Sequence, residues 1–253
     1  MKRVINQLVL CIPFFLMHNS FAQTHIDLGI KAGLSIPNLT SGDGDNPINR
    51  GYGSRLGPDV AVHAEFHLSK RFSIQPQFEY SSQGGKKNGN QAFAVPAEME
   101  ALFPPGQVPQ YLYANYKSEA KINYLMLPIL AKYHFHLPSR WDLYIAAGPF
   151  ASVVVSAKNE TSGTSEVYLD SGHQQALPIG AQSFDNTENI KDDLHRFNAG
   201  INGHIGLAYN LAKGNVFIEG GGNYGFINIQ KDNVNGSNKT GAAVVVLGYA
   251  FRL

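Results

Sequence analysis

The sequence predicts an all-β protein, an eight-stranded up-and-down antiparallel transmembrane β-barrel. Three observations predict it. Apolar and polar residues alternate with a period of two through most of the chain after residue 25. The links between the alternating segments are short and long by turns. The charged fraction is 15% in a chain of 253 residues with 26 glycines, against roughly 25% charged in ordinary soluble domains. A formal charge of +1 lacks the basic excess that phosphate binding requires, so nucleic acid is not an expected partner.

The first 22 residues read as a secretory leader. Lys2 and Arg3 form a positive start, Leu8 to Met17 is an apolar run, and Ser20-Phe21-Ala22 places small residues around a cleavage site. The run is too short to span a bilayer as a helix. Cleavage after Ala22 makes residues 1–22 the signal peptide and 23–253 one barrel domain. Cys11 is the only cysteine and leaves with the leader, which excludes disulfides, thiolate metal sites and cysteine nucleophiles from the domain. The loss of Lys2 and Arg3 takes the formal charge from +1 to −1.

The strands follow in order. Ile26, Leu28, Ile30, Ala32, Leu34 and Ile36 alternate with Asp27, Gly29, Lys31, Gly33 and Ser35. Val60 to Leu68 and Phe72 to Tyr80 repeat the pattern on either side of a Ser69-Lys70 turn. In the segment 118–137 the apolar set changes phase, from Ile122, Tyr124 and Met126 to Tyr133, Phe135 and Leu137. That change predicts a bulge, and Pro128 is its expected place because proline cannot donate to a ladder. Leu143 to Val155, Phe197 to Leu211, Val216 to Phe226 and Ala243 to Leu253 complete the eight. Long links are expected near 37–56, 83–117, 158–194 and 229–240, at one end of an up-and-down barrel.

Alternation alone does not say which face is inside, and a soluble barrel with a greasy interior has the same period. The polar set settles the matter. It is rich in small residues, as the narrow interior of eight strands demands. It also carries both signs of charge, Asp27, Asp59, Glu65, Glu79, Asp142 and Glu219 against Lys31, Lys121, Lys132, Arg196 and Arg252, as a packed lumen of paired charges requires. Aromatics such as Phe72, Tyr133, Trp141, Tyr224 and Tyr249 sit near strand ends, where interfacial girdles form. The apolar set therefore faces lipid and the pore is closed.

Gly29-Ile30-Lys31-Ala32-Gly33-Leu34, the strand Phe72-Ser73-Ile74-Gln75-Pro76-Gln77-Phe78, the segment Tyr124-Leu125-Met126-Leu127-Pro128-Ile129-Leu130 and Ala147-Gly148-Pro149-Phe150 resemble the PorT-type outer-membrane β-barrel family. The resemblance runs over essentially the whole chain after the leader. It implies a barrel in a Gram-negative outer membrane, and some members are similar to a component of a protein-secretion system. Gly248-Tyr249-Ala250-Phe251-Arg252-Leu253 is similar to the terminal signal read by the barrel-insertion machinery, with Leu in place of the usual final Phe.

Four constellations could carry chemistry. His63, Glu65 and His67 share one strand face at alternate positions, and read as a lumen hydrogen-bond network with His134, His136 and His204 rather than a metal site. Ser41-Gly42-Asp43-Gly44-Asp45-Asn46 is oxygen-rich but lacks the closing Glu of a calcium loop, and reads as a plain loop. Serine and histidine are plentiful, yet the strand histidines fall on the polar face and no Gly-x-Ser-x-Gly turn occurs, so no catalytic residues are assigned. Pro96 to Phe103 reads as a short helix followed by Tyr111, Tyr113 and Tyr116, either a contact surface or a cap on the barrel mouth. The asparagine acceptors at Asn38, Asn159, Asn235 and Asn238 read as chance.

The sequence thus predicts a non-enzymatic outer-membrane barrel with no cofactor or metal. Its expected partners are outer-membrane lipid and an envelope or secretion-system protein. Its role is structural or interactive, with a small binding or narrow transport barrel and a lipid-modifying enzyme as alternatives.

Overall fold

The computed structural model describes residues 25–41, 46–231 and 237–253. The predicted leader lies outside the described residues, as does most of the oxygen-rich loop after Ser41. The strands in chain order are β1 (Ile26–Ser41), β2 (Gly57–His67), β3 (Phe72–Ala94), β4 (Tyr111–His136), β5 (Trp141–Ser162), β6 (Thr164–Ser165), β7 (Gln182–Ser183), β8 (Asn186–Asn189), β9 (Phe197–Leu211), β10 (Gly214–Gly225) and β11 (Asn238–Arg252). Eight of them, β1 to β5 and β9 to β11, form an antiparallel ring in sequence order. The ring is closed by β1 on β11, in unbroken register from Asp27↔Arg252 to Ser41↔Asn238. The short strands β6, β7 and β8 belong to the third long loop.

The two faces separate as alternation requires. Leu28, Ile30 and Leu34 are about half exposed or more, whereas Asp27, Lys31 and Ser35 between them are buried in the lumen. The same holds for Val60, Val62 and Phe66 against Asp59, His63 and Glu65. Trp141 packs edge-on against Tyr209 at 5.0 Å and Tyr133 against Phe135 at 4.9 Å near the short turns, while Tyr224 meets Phe226 at 6.0 Å near the long loops. These pairs sit where a bilayer's two interfaces would cross the barrel.

The expected phase change in β4 does not occur. The register of β3 on β4 keeps one offset from Phe72↔Tyr133 to Ala94↔Tyr111, although the pairing lapses for two residues at Pro128 and Leu127. Ile122, Tyr124 and Met126 therefore point inward with Leu130, Lys132 and His134. An inward apolar residue is permitted wherever other inward apolar residues cover it, and the alternation rule took every inward residue to be polar. The slip lies in β5, where Asn123 pairs with Ser156 and Tyr124 with Val154, leaving Val155 as the extra residue.

The second long link is largely strand, and the third is strand in part. β3 and β4 have 23 and 26 residues, where roughly 9–11 suffice to cross a bilayer. Their far halves stand beyond the lipid as a two-stranded wall, and β5 extends beside them. Residues 83–94 carry polar side chains on both faces because neither face meets hydrocarbon, so they lack the period that marks a membrane strand, while Leu112 and Ala114 opposite them turn into the loop crown.

Outward residues differ in depth, which sets the cost of a charge. Replacing Ile30, on the outward face of β1, by Arg is expected to destabilise the barrel by about 2–4 kcal/mol, against about 0–1 kcal/mol for Leu68→Arg at the short-turn rim. Urea midpoints read from heat-modifiable gel migration would check both.

Candidate functional site

The lumen is the first candidate, and it is filled. Lys31 on β1 pairs with Glu219 on β10 at 2.7 Å, both side chains at most 2% exposed. The Tyr144 hydroxyl donates to the other Glu219 oxygen at 2.9 Å. Nearer the short-turn mouth, Lys132 Nζ donates to Glu65 at 2.7 Å and to Gln75 at 3.0 Å, and lies 4.0 Å from the centre of the Tyr144 ring. A ladder of amides runs along β3, with Gln75 donating to Gln77 at 3.0 Å and Gln77 to Glu79 at 2.7 Å. Asp59 accepts from Ser81 at 2.8 Å. Tyr144 and Phe217 lie flat over the neighbouring strand because the residue paired with each there, Gly206 on β9 and Gly248 on β11, is glycine. A Cβ at Gly206 or Gly248 would come within 2.2 Å of the respective ring.

The charge balance expected of the lumen is corrected. Asp27, Asp59, Glu65, Glu79, Asp142 and Glu219 are buried, but of the expected bases only Lys31 and Lys132 are. Arg196 is 69% exposed in a loop pair with Asp192, Lys121 stands outside against Glu160 at 2.5 Å, and Arg252 sits at the rim. Neutral donors (Ser73, Ser81, Gln77, Tyr144) carry much of the remainder. The expected His63, Glu65 and His67 grouping is also split. His63 packs edge-on against Phe217 at 5.7 Å, deeper in the barrel, while Glu65 and His67 lie at the short-turn mouth with His134.

Toward the long loops the lumen turns apolar. Ile122, Tyr124 and Met126 on β4 pack with Phe150 and Val154 on β5, Leu39 on β1, and Leu194 and Ile229 from the loops. This plug has no counterpart in the sequence reading, which sent its three β4 members outward. Above it, Arg55 bridges Glu119 at 2.8 Å, Ser82 at 2.8 Å and the Gln83 carbonyl at 3.1 Å.

A vestibule of about 390 Å³ lies beyond the plug, bordered by Tyr52, Lys87, Phe93, Tyr116, Leu194 and Gln230. Lys87 sits 4.1 Å from the centre of the Tyr52 ring and donates to the Ile48 carbonyl. Burial draws its pKa down to about 8. The predicted helix shrinks to α1 (Ala97–Glu100). Its Met99, with Phe103, packs on Leu112, Val167 and Leu177. Tyr116 stacks on Phe184 at 4.5 Å. Met99 and Phe103 pack into a small core inside the loop crown, Tyr116 borders the vestibule, and Leu102 stays exposed.

One triad-like array is present. Ser73 Oγ lies 3.1 Å from His134 Nε2, and His134 Nδ1 lies 2.6 Å from Asp142. Ser73 donates instead to Glu65 at 2.5 Å and has no exposed surface. A buried hydroxyl committed to a carboxylate meets no substrate, so the array is a lumen network. Of the oxygen-rich loop, the described Asn46 uses its side chain to accept from the Ile48 amide at 3.0 Å.

Removing one partner of a buried pair leaves the other uncompensated. Lys31→Met is expected to cost about 3–5 kcal/mol, and Lys31→Met with Glu219→Gln distinctly less, as a double-mutant cycle by urea unfolding would show. In the crown, Asp170 accepts backbone amides of Gly172, Gln174 and Gln175 at 2.8–3.1 Å, which hold its carboxyl below the usual range. The turn is therefore stabilised above the ordinary carboxyl pKa and loses that contribution as pH falls through the lowered value. Asp170→Asn should speed amide exchange at Gln174 and Gln175 at pH 7, with wild type approaching the variant only in acid.

No curated protein is detectably similar to this chain in sequence. Among solved structures it is similar to Ail of Yersinia pestis in complex with the heparin analogue sucrose octasulfate, at 10% identity over 91% of this chain and 99% of that one, TM-score 0.36. Neisserial surface protein A matches at 12% identity over 89% and 97% of the chains, TM-score 0.38. OprG from Pseudomonas aeruginosa matches at 10% identity over 91% and 95%, TM-score 0.35. Residues 21–231 match the family of the outer membrane protein beta-barrel domain. The chain belongs to that family, and its place is the outer membrane.

Proposed function

We propose that this protein is a PorT-type barrel that works through its long-loop crown, in a structural or interaction role within an envelope or secretion assembly, and conducts no solute. In this reading residues 1–22 are a leader cleaved after Ala22, both chain ends and the short turns face the periplasm, and the crown faces outward. The observation that carries it is the twofold closure of the lumen, by paired charges around Lys31 and Glu219 and by the apolar plug around Tyr124 and Phe150. A barrel stopped in two chemically different ways is poorly suited to diffusion. A crown with its own buried core of Leu112, Val167 and Leu177 is suited to presenting a fixed surface. The exposed Leu102 and Val108 beside that core are the sort of apolar anchors an interface uses.

A second reading rests on the vestibule, whose aromatic walls and single buried amine fit a small amphipathic ligand. Cross-linking in native membranes followed by purification and mass spectrometry separates the two. The expected result is an envelope protein cross-linked to residues within 95–110 or 163–185. Stepwise conductance of the purified protein in planar bilayers would overturn the closed-barrel reading.

A further inference from the structure

We propose that the short-turn mouth of the barrel is a divalent transition-metal site, a zinc site by ligand chemistry, formed by His25, Asp27 and His67. His25 and Asp27 stand at the start of β1 and His67 at the end of β2, adjacent strands whose register sets Ile26 opposite Phe66. One ligand atom from each of the three lies within 4.8 Å of the others. Zinc bonds of about 2.0–2.2 Å in tetrahedral geometry set ligand atoms roughly 3.3 Å apart, so small side-chain rotations close the set. The two imidazoles are stacked at 4.0 Å and 17°, and turning either ring brings a nitrogen toward the shared point. Two imidazoles and a carboxylate are donors zinc favours, with water completing four.

The second observation is unmet demand. Asp27 is 1% exposed and its Oδ1 has no hydrogen bond among the described residues. The nearest opposite charge to that atom is Arg252 Nε at 3.6 Å, beyond hydrogen-bond reach. His67 Nε2 is also buried with no hydrogen bond among the described residues, facing Asp27 at 3.4 Å and Glu65 at 3.7 Å. A buried carboxylate oxygen and an imidazole nitrogen, both unmatched and both beside one cavity of about 240 Å³, are what an ion would satisfy. The neighbouring group Glu65, His67 and His134 also converges, but it is already engaged. Glu65 binds Lys132, Ser73 and His134, and His134 binds Asp142. The free valence is on the His25 side.

Such an ion would tie the first residues of β1 to the end of β2, next to the seam where Arg252 of β11 closes the ring. Binding to the folded state alone raises stability with ligand concentration.

The test uses the full barrel purified from membranes in detergent and stripped with a chelator. Zinc sulfate is titrated against a chromogenic zinc indicator, and cobalt chloride is added separately for its visible spectrum. The expected result is one zinc per chain, a four-coordinate cobalt spectrum, and a urea midpoint that rises with zinc. His25→Ala, Asp27→Asn and His67→Ala should each weaken binding by more than the roughly 10–100-fold that loss of an outer partner costs. His63→Ala should leave it unchanged, and Arg252→Gln should strengthen it by removing a competing cation. Heat-modifiable migration confirms that each variant folds. Absence of stoichiometric zinc, or zinc lost on His134→Ala but kept on His25→Ala, would overturn the assignment.

Discussion

Hydrocarbon offers a backbone amide no partner, and that constraint organises this molecule. Every ladder within the lipid must close on itself, so β1 has to find β11 in full register, and it does so from Asp27↔Arg252 upward. Closure with eight strands then fixes a narrow lumen. The alternating strand places one side chain in two in that lumen, and its chemistry follows from the space available. Gly206 and Gly248 are paired with Tyr144 and Phe217 on the neighbouring strands because each ring, turned aside in so narrow a lumen, lies over its partner and leaves no room for a Cβ. The outer face, by contrast, needs only to be apolar, and its residues vary freely among Leu, Ile, Val and Phe.

Filling the lumen with carboxylates creates the next demand. Below the apolar plug six acidic side chains are buried against two lysines, Lys31 and Lys132, while the buried Arg55 and Lys87 lie above it, and the difference is made up by hydroxyls, amides and imidazoles arranged in chains. Such networks raise the penalty for any single loss, since each group serves two neighbours. Glu65 illustrates this, receiving Lys132, Ser73 and His134 at once. The lumen is thus a continuous polar solid in its lower part. The apolar plug above it is a different solid, built from β4, β5, Leu39 of β1 and two loop residues. The boundary between them explains why Tyr124 and Met126 read wrongly as lipid-facing. Both a lipid face and an apolar plug ask for the same residue types, and periodicity cannot tell them apart.

Outside the 122–126 stretch of β4, the strand faces from Ile26 to Phe251 were legible because lipid and lumen impose opposite chemistry on neighbouring residues. The crown was not. Residues 83–94 and 111–117 form a long regular ladder, yet outside the lipid neither face is constrained to one polarity, so the period disappears while the hydrogen bonding continues. The mouth cluster was legible only in part. His67 and Glu65 announce themselves two residues apart, but His25, Asp27 and Asp142 join them through pairings between strands. The sequence-level grouping with His63 followed strand spacing, whereas the observed grouping follows the seam.

The two ends of the barrel are closed by different physics, and this divides their possible roles. At the long-loop end, apolar packing and the Arg55 bridge exclude water and hold the crown rigidly on its wall. A crown with its own core can change sequence at its surface without disturbing the lumen, because Leu112 and Val167 do not touch the plug cluster. At the short-turn end the closure is ionic, with Asp27, Asp142 and His136 reaching a cavity that opens to the rim. Ionic closure yields to whatever satisfies its charges better, whereas apolar closure does not. Among the described residues, the closure that a small charged species could displace is therefore the one at the end where β1 begins and β11 finishes.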